Sequence, residues 1–153
     1  MMEVTASTLG RQRFLRGLEA DQLDALAATA AEVMFPAGTR MCAEGGHTAR
    51  FWLLESGYAA LDVQVPGESP AVIGTVGIGA ILGWSWLLPP YRWEFGAVCV
   101  SEVKAIEFCA PAVRACCAAD PALAHELTRR LLTVVAQRVR GTRATLVAKS
   151  ALA

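Results

Sequence analysis

Five aromatic side chains, Trp84, Trp86, Tyr91, Trp93 and Phe95, fall within twelve residues and bracket a single cation, Arg92. Rings of this kind stack on a flat heterocycle, and a guanidinium beside them can bond an anion through its fork of N–H donors. The same rings can instead fill a core, so the segment reads either as a ligand wall or as packing. Gly83 opens it, and Ser85, in GWSWL, caps or lines the turn that follows; the Gly-x-Ser-x-Gly frame of an activated serine is absent. Other candidates for chemistry are sparse. A metal site needs three or four converging ligands, and the two histidines, His47 and His125, lie in an expected turn and on an expected helix. Five cysteines (Cys42, Cys99, Cys109, Cys116 and Cys117) show no CxxC spacing, and the odd number leaves at least one thiol unpaired within a monomer. These residues imply no metal and no catalytic constellation, and the expectation is a protein that is not an enzyme.

The chain around them has 153 residues, 14 basic and 14 acidic side chains, 54% apolar residues and 18% charged ones. That length supports one core and not two, and that composition excludes a disordered chain. Balanced charge also lacks the basic excess of most nucleic-acid binders. The balance is uneven along the chain, because residues 121–153 hold six basic groups against one acidic group. The start, MMEVTASTLGRQRF, lacks the charged-then-apolar plan of an export signal, and unpaired cysteines fit a reducing compartment, so a cytoplasmic location is expected. Residues 69–91 carry no charge and are long enough to span a bilayer. Gly74, Gly77, Gly79 and Gly83 punctuate that run, Pro70 opens it and Pro89-Pro90 closes it, so it reads as short buried strands and a tight turn, with no membrane span.

The elements that must position the aromatic segment follow from periodicity. Residues 14–31 place Leu18, Leu23, Leu26, Ala27 and Ala30 near a 3.6 repeat, a short amphipathic helix. From Glu32 to about Phe108, short apolar runs are broken by Gly-containing turns about every ten residues, as in antiparallel strands. After Cys109 the texture reverts to helix, with Pro111 suited to a first turn and Asp120-Pro121 to a break and restart. From Ala122 to about Val147 a long helix carries a stripe at Leu123, Leu127, Leu131 and Val134 or Val135. The expected order is helix, about eight short strands, short helix, long helix, with 1–13 an N-terminal extension, 14–140 the domain and 141–153 a C-terminal tail.

In this order the segments resemble the cyclic-nucleotide-binding domain of the catabolite-activator and kinase-regulatory-subunit type. FLRGLEADQLDALAATAAEVMFPAG is similar to its opening helix and first strand, MCAEGGHTARFWLLESGYAAL to its most recognisable turn and strand, and IGTVGIGAILGWSWLL to the strand and Gly-x-Gly turn that introduce its phosphate-binding cassette. The resemblance implies a mainly β fold with flanking helices: an antiparallel β-roll (a double-stranded β-helix or jelly roll) with an N-terminal helix and C-terminal helices. It also implies a regulatory or sensor role.

The resemblance places the cassette on Gly83, Trp84, Ser85, Arg92, Trp93 and Phe95, and it departs from the family there. The family uses an acidic residue after the glycine to hold a ribose hydroxyl, and Trp84 cannot accept a hydrogen bond. The position of the family's phosphate-binding arginine falls on Trp93, with Arg92 one residue earlier, and a one-residue slip in a strand reverses the face. Three readings stay open: rings that fill the pocket, an altered ligand pocket, or a shortened cassette in which Arg92 binds a cyclic nucleotide such as cAMP or cGMP. A cupin-type enzyme on a similar roll is the competing class. As partners, the resemblance implies a small-molecule ligand and a homodimer through Leu123, Leu127, Leu131, Val134 and Val135. The tail RGTRATLVAKSALA is too short for the helix-turn-helix of DNA-reading relatives, so no direct DNA binding is expected. Arg129, Arg130, Arg138, Arg140, Arg143 and Lys149 read as a solvated helix face or as a surface for an acidic protein partner.

Overall fold

The computed structural model describes residues 2–152. A short strand, β1 (Met2–Glu3), leads to a one-turn helix, α1 (Ala6–Gly10), whose first turn is capped by the Thr5 hydroxyl accepting from the Thr8 N–H at 3.1 Å. A 3-10 turn at Arg13–Leu15 follows, then α2 (Ala20–Ala27), entered through a reciprocal cap between Glu19 and Gln22. The helix expected over 14–31 is therefore confined to its middle, residues 20–27. Gly17 turns the chain with φ +90°, and Ala30 already belongs to the next strand. The thirteen residues expected to form an extension contribute Val4 and Leu9 to the same core as Leu26.

Eight further strands follow: β2 (Ala30–Phe35), β3 (Arg40–Cys42), β4 (Arg50–Ser56), β5 (Ala59–Val63), β6 (Ala71–Val76), β7 (Ile81–Leu82), β8 (Gly96–Cys99) and β9 (Val103–Cys109). They form two antiparallel sheets, in the orders β1-β2-β9-β4-β7 and β3-β8-β5-β6, which face each other as a roll. Strand alternation divides β4 between two cores. Phe51 and Leu53 point to the helices, and Trp52 and Leu54 point into the roll. The β4–β5 turn needs Gly57, because its φ is +79° and a Cβ there would collide with the Glu102 carbonyl oxygen. The uncharged run 69–91 forms β6, β7 and a 3-10 turn at Ser85–Leu87, as its glycines implied, and no helix among the described residues is long and apolar enough to cross a membrane.

Two helices close the fold: α3 (Ala110–Ala119), with Pro111 in its first turn, and α4 (Pro121–Leu152). Between them Asp120 is extended, and its carboxylate accepts from the N–H groups of Ala122 at 3.1 Å and Leu123 at 3.3 Å, so the break and the new N-cap are one residue. Leu123, Leu127 and Leu131 are buried in the core that α1, α2 and α3 share with the outer face of the first sheet, and Val134 packs against it. The seam assigned to these residues is thus corrected for the three leucines, since a leucine that is 2% exposed in its own subunit, as Leu127 is, has no surface left for a second, while Val134 and Val135 are only partly buried. Burial of each such side chain contributes about 1.5–3 kcal/mol to the fold, which explains why the stripe folds back. A second apolar stripe stays free: Leu132 is 66% exposed, Val139 62% and Leu146 65%, and the partly buried Val135 continues it at steps of three, four and seven.

Candidate functional site

The cassette segment begins where β7 ends. Gly83 takes φ +110°, and a Cβ built on it would lie 2.7 Å from Cη2 of Trp93 and 3.2 Å from Cβ of Phe51. The glycine therefore leaves room for the side chains of Trp93 and Phe51. Trp93 is held in register by two backbone hydrogen bonds to the Glu44-Gly45-Gly46 turn. Its N–H donates to the Gly46 carbonyl, and its carbonyl accepts from the Gly45 N–H, both at 2.8 Å. In that register its ring points into the roll and stacks on Trp52, with centroids 5.8 Å apart and planes 14° from parallel.

The remaining rings complete the filling. Phe95 meets Trp93 at 6.0 Å and the edge of Trp84 at 6.2 Å, and Phe35 meets Trp52 edge-on at 6.0 Å. On the other side of the first sheet Phe51 is sandwiched between Trp86 at 4.1 Å and Phe108 at 4.8 Å. Two of the buried indoles satisfy their N–H groups within the protein, Trp52 on Glu107 at 2.9 Å and Trp86 on the Gly83 carbonyl at 3.1 Å. The roll interior is apolar enough to push the Cys42 thiol up to about 12, burial outweighing the nearby Arg40.

Of the six residues assigned to the cassette, the structure brings Gly83, Trp84, Ser85, Trp93 and Phe95 together and sets Arg92 apart. Arg92 is exposed, bridges to His47 across a short antiparallel contact, and donates from Nη1 to the Gly45 carbonyl at 3.3 Å. The alternation Trp93, Phe95, Ala97, Cys99, all buried, carries the reason: Arg92 is out of phase with the inward face. Trp84 is half-buried, and Ser85 is 4% exposed with its hydroxyl lacking any hydrogen-bond partner among the described residues. His47 and His125 are exposed, and among the described residues no three His, Cys, Asp or Glu side chains converge as metal ligands.

Sequence reasoning missed Arg114. From α3 its Nη1 donates to the Trp86 carbonyl at 2.8 Å, and its guanidinium covers the Tyr91 ring at 4.1 Å, so one cation fastens both ends of the cassette segment. No local spacing announces this contact, which joins residues more than twenty apart. Trp52 was legible only as a strand residue, and its role as the stacking partner of Trp93 depends on the register of two distant segments.

No protein-family model matches the chain. It is 27% identical over 134 residues to the CRP-like cAMP-activated global transcriptional regulator of Mycobacterium tuberculosis (strain CDC 1551 / Oshkosh), a match over 88% of this chain that spans 58% of that regulator's length. Among solved structures, a protein from Geobacter metallireducens GS-15 described as cyclic nucleotide-binding superposes with a TM-score of 0.81 at 24% identity, over 89% of this chain and 98% of its own. The Thermus thermophilus catabolite activator protein superposes with a TM-score of 0.68 at 21% identity, over 90% of this chain and 62% of its own. The chain has the fold of the cyclic-nucleotide-binding domains, and the resemblance carried by its turns and strands is borne out at that level.

Proposed function

We propose that this chain is a non-enzymatic regulatory module in which the cyclic-nucleotide-binding roll is closed by its own tryptophans. It acts through self-association or a protein partner, without capturing a cyclic mononucleotide in the roll. One observation carries this reading. Where the family resemblance expects a phosphate-binding arginine, Trp93 points inward, pressed on Gly83 and stacked on Trp52, while Arg92 faces solvent. A cyclic phosphate placed there would exchange hydration for aromatic carbon, at a cost of about 1–3 kcal/mol for each unpaired polar group. Calorimetric titration with 3′,5′-cyclic AMP and cyclic GMP tests it, with no saturable heat expected. A sub-micromolar Kd abolished by Arg92→Ala would overturn it in favour of a working, shortened cassette.

The unpartnered Ser85 hydroxyl favours a second reading, an altered pocket that opens around the same rings. Under that reading cyclic-nucleotide binding survives Arg92→Ala and is lost in Trp84→Ala or Trp93→Ala. In either case the surface suited to self-association is the free stripe of α4, Leu132, Val135, Val139 and Leu146, whose three- and four-residue steps make a two-stranded seam. Sedimentation should show a dimer that Leu132→Asp converts to a folded monomer. A wild-type monomer at micromolar concentrations would remove the seam from the proposal.

A further inference from the structure

Outside the roll, a groove of about 830 Å³ runs between α4 and the turn from β6 to β7. That volume lies in the range of small-molecule sites, about 300–1,000 Å³. Its lining holds five arginines: Arg129, Arg130 and Arg138 on the α4 wall, Arg13 and Arg16 on the opposite wall. No carboxylate lines it. The one acid in contact, Glu126, is shared between Arg129 at 3.0 Å and Arg130 at 3.1 Å, which leaves the groove with an excess of four positive charges.

Three of these cations, Arg13, Arg16 and Arg138, enter none of the ion pairs among the described residues. Arg138 is half-buried against β6, so close to Gly74 that a Cβ there would collide with its guanidinium. Burial alone pushes its pKa down, the mark of a desolvated charge without a partner. Arg13 lies 3.4 Å from where a Cβ on Gly79 would sit, so the Gly77-Ile78-Gly79 turn is bare enough for a guanidinium to cover it. Of the three only Arg138 is half-buried, Arg13 and Arg16 being exposed; a partly desolvated cation is ordinarily paired, and among the described residues none forms an ion pair with Arg138. The lining also includes the apolar Phe14, Ile81 and Val134.

The geometry points to this groove as a binding site for a small molecule that carries two or more phosphate groups, held by arginine forks from both walls. Guanidinium forks match phosphate oxygens in pairs, and arginines on facing walls reward a ligand whose charges are spread. One charge, as on a cyclic monophosphate, would leave most of the excess uncompensated. The groove is concave and lined in part by apolar side chains, which suits a compact ligand better than an acidic protein segment lying on a flat helix face. The proposal rests on the groove alone and holds whether or not the roll is closed.

Titration calorimetry at physiological salt with inorganic tripolyphosphate and with ATP, both without divalent metal, tests it. Saturable one-site binding is expected for both, weakened about tenfold or more by Arg138→Gln and by Arg16→Gln, since each removes charge-assisted hydrogen bonds. Arg50→Gln, on the far sheet face, should leave binding unchanged. Arg16 is exposed, so its variant keeps the test valid if Arg138→Gln disturbs folding. Tighter binding of ATP than of tripolyphosphate supports the site with its apolar lining taking the base, and equal binding supports it with phosphates recognised alone. No saturable heat from either probe at about 1 mM, or binding indifferent to both groove variants, overturns the proposal. So does a hexaglutamate peptide that binds more tightly than tripolyphosphate, which would assign the surface to an acidic protein.

Discussion

The interior of the roll and the groove beside α4 lie close to the same strand, β6, and have opposite chemistry. Inside, Val76 joins Trp52, Trp93 and Phe95 in an apolar cluster where even a thiol resists ionisation. Outside, Thr75 and the turn that follows face a wall of arginines with one carboxylate between them. A fold whose relatives are named for cyclic-nucleotide binding here packs aromatic side chains inside the roll and holds arginines without ion pairs outside it. The contrast shows that a fold recognisable from its turns leaves the chemistry of each face to its side chains.

The largest effect should come from emptying the interior. Trp93→Ala removes a ring that stacks on Trp52 and backs Gly83, and it should lower unfolding stability by about 3–5 kcal/mol in urea titrations. A loss below about 1 kcal/mol would mean that the roll is not sealed by this side chain and would break the contrast. Next comes the pair Leu127→Ala and Leu132→Ala, five residues apart and on different faces of α4. The first should cost about 2–5 kcal/mol at any protein concentration. The second should change stability only through the concentration dependence of a dimer, and equal concentration-independent losses would refute the two-stripe reading. Like charges brought together by such a dimer repel, so added salt should strengthen it if Arg140 and Arg143 approach their counterparts.

Smaller effects sharpen the contrast. Ser85→Ala deletes a buried hydroxyl with no partner, so thermal unfolding should show an unchanged protein or one stabilised by up to about 1 kcal/mol. A clear destabilisation would instead reveal that the hydroxyl is engaged in solution. On the groove side, hydrogen bonds from Arg129 and then Arg130 hold the Glu126 carboxyl below its ordinary value. Because the folded value lies below the unfolded one, this acid stabilises the fold above the unfolded carboxylate range, and the contribution is lost as pH falls through the folded value. Glu126→Gln should therefore flatten the acid limb of the stability profile, and it should also tighten tripolyphosphate binding by removing the carboxylate paired with Arg129 and Arg130. The smallest effect is kinetic: a thiol reagent at pH 8 should label exposed Cys109 at once and reach Cys42 only on unfolding. Rapid labelling of Cys42 would show the interior to be open.

Much of the fold was legible because turns advertise themselves. Gly57 and Gly83 sit where only a residue without a Cβ fits, and the Asp120-Pro121 break marks the boundary between α3 and α4 where the cap hydrogen bonds form. Residues 2–10 were illegible for a complementary reason: a two-residue strand and a one-turn helix are too short to show a period, and two buried side chains, Val4 and Leu9, tie them down. The cassette was half legible. Its missing acid was plain at Trp84, whereas the face of Arg92 depended on a register fixed by hydrogen bonds to the Glu44-Gly45-Gly46 turn far away in sequence. On α4 the difficulty was excess of signal, since two apolar stripes with the same spacing lie side by side and only packing tells Leu131 from Leu132. Of the basic groove only the helix wall was legible, as the arginine-rich face of residues 121–153; Arg13 and Arg16, more than a hundred residues earlier, gave no sign of joining it.

Past Arg138, the described part of α4 is exposed at every residue. A solvent-exposed helical rod of about 20 Å lies near the limit at which a single helix holds its shape. A contact made on exposed Leu146 and Val147 would stabilise these turns, so this segment would act as a gauge of occupancy. Far-UV ellipticity that rises with protein concentration, or on addition of a partner, would register assembly through the winding of these last turns alone, with no change in the roll that carries them.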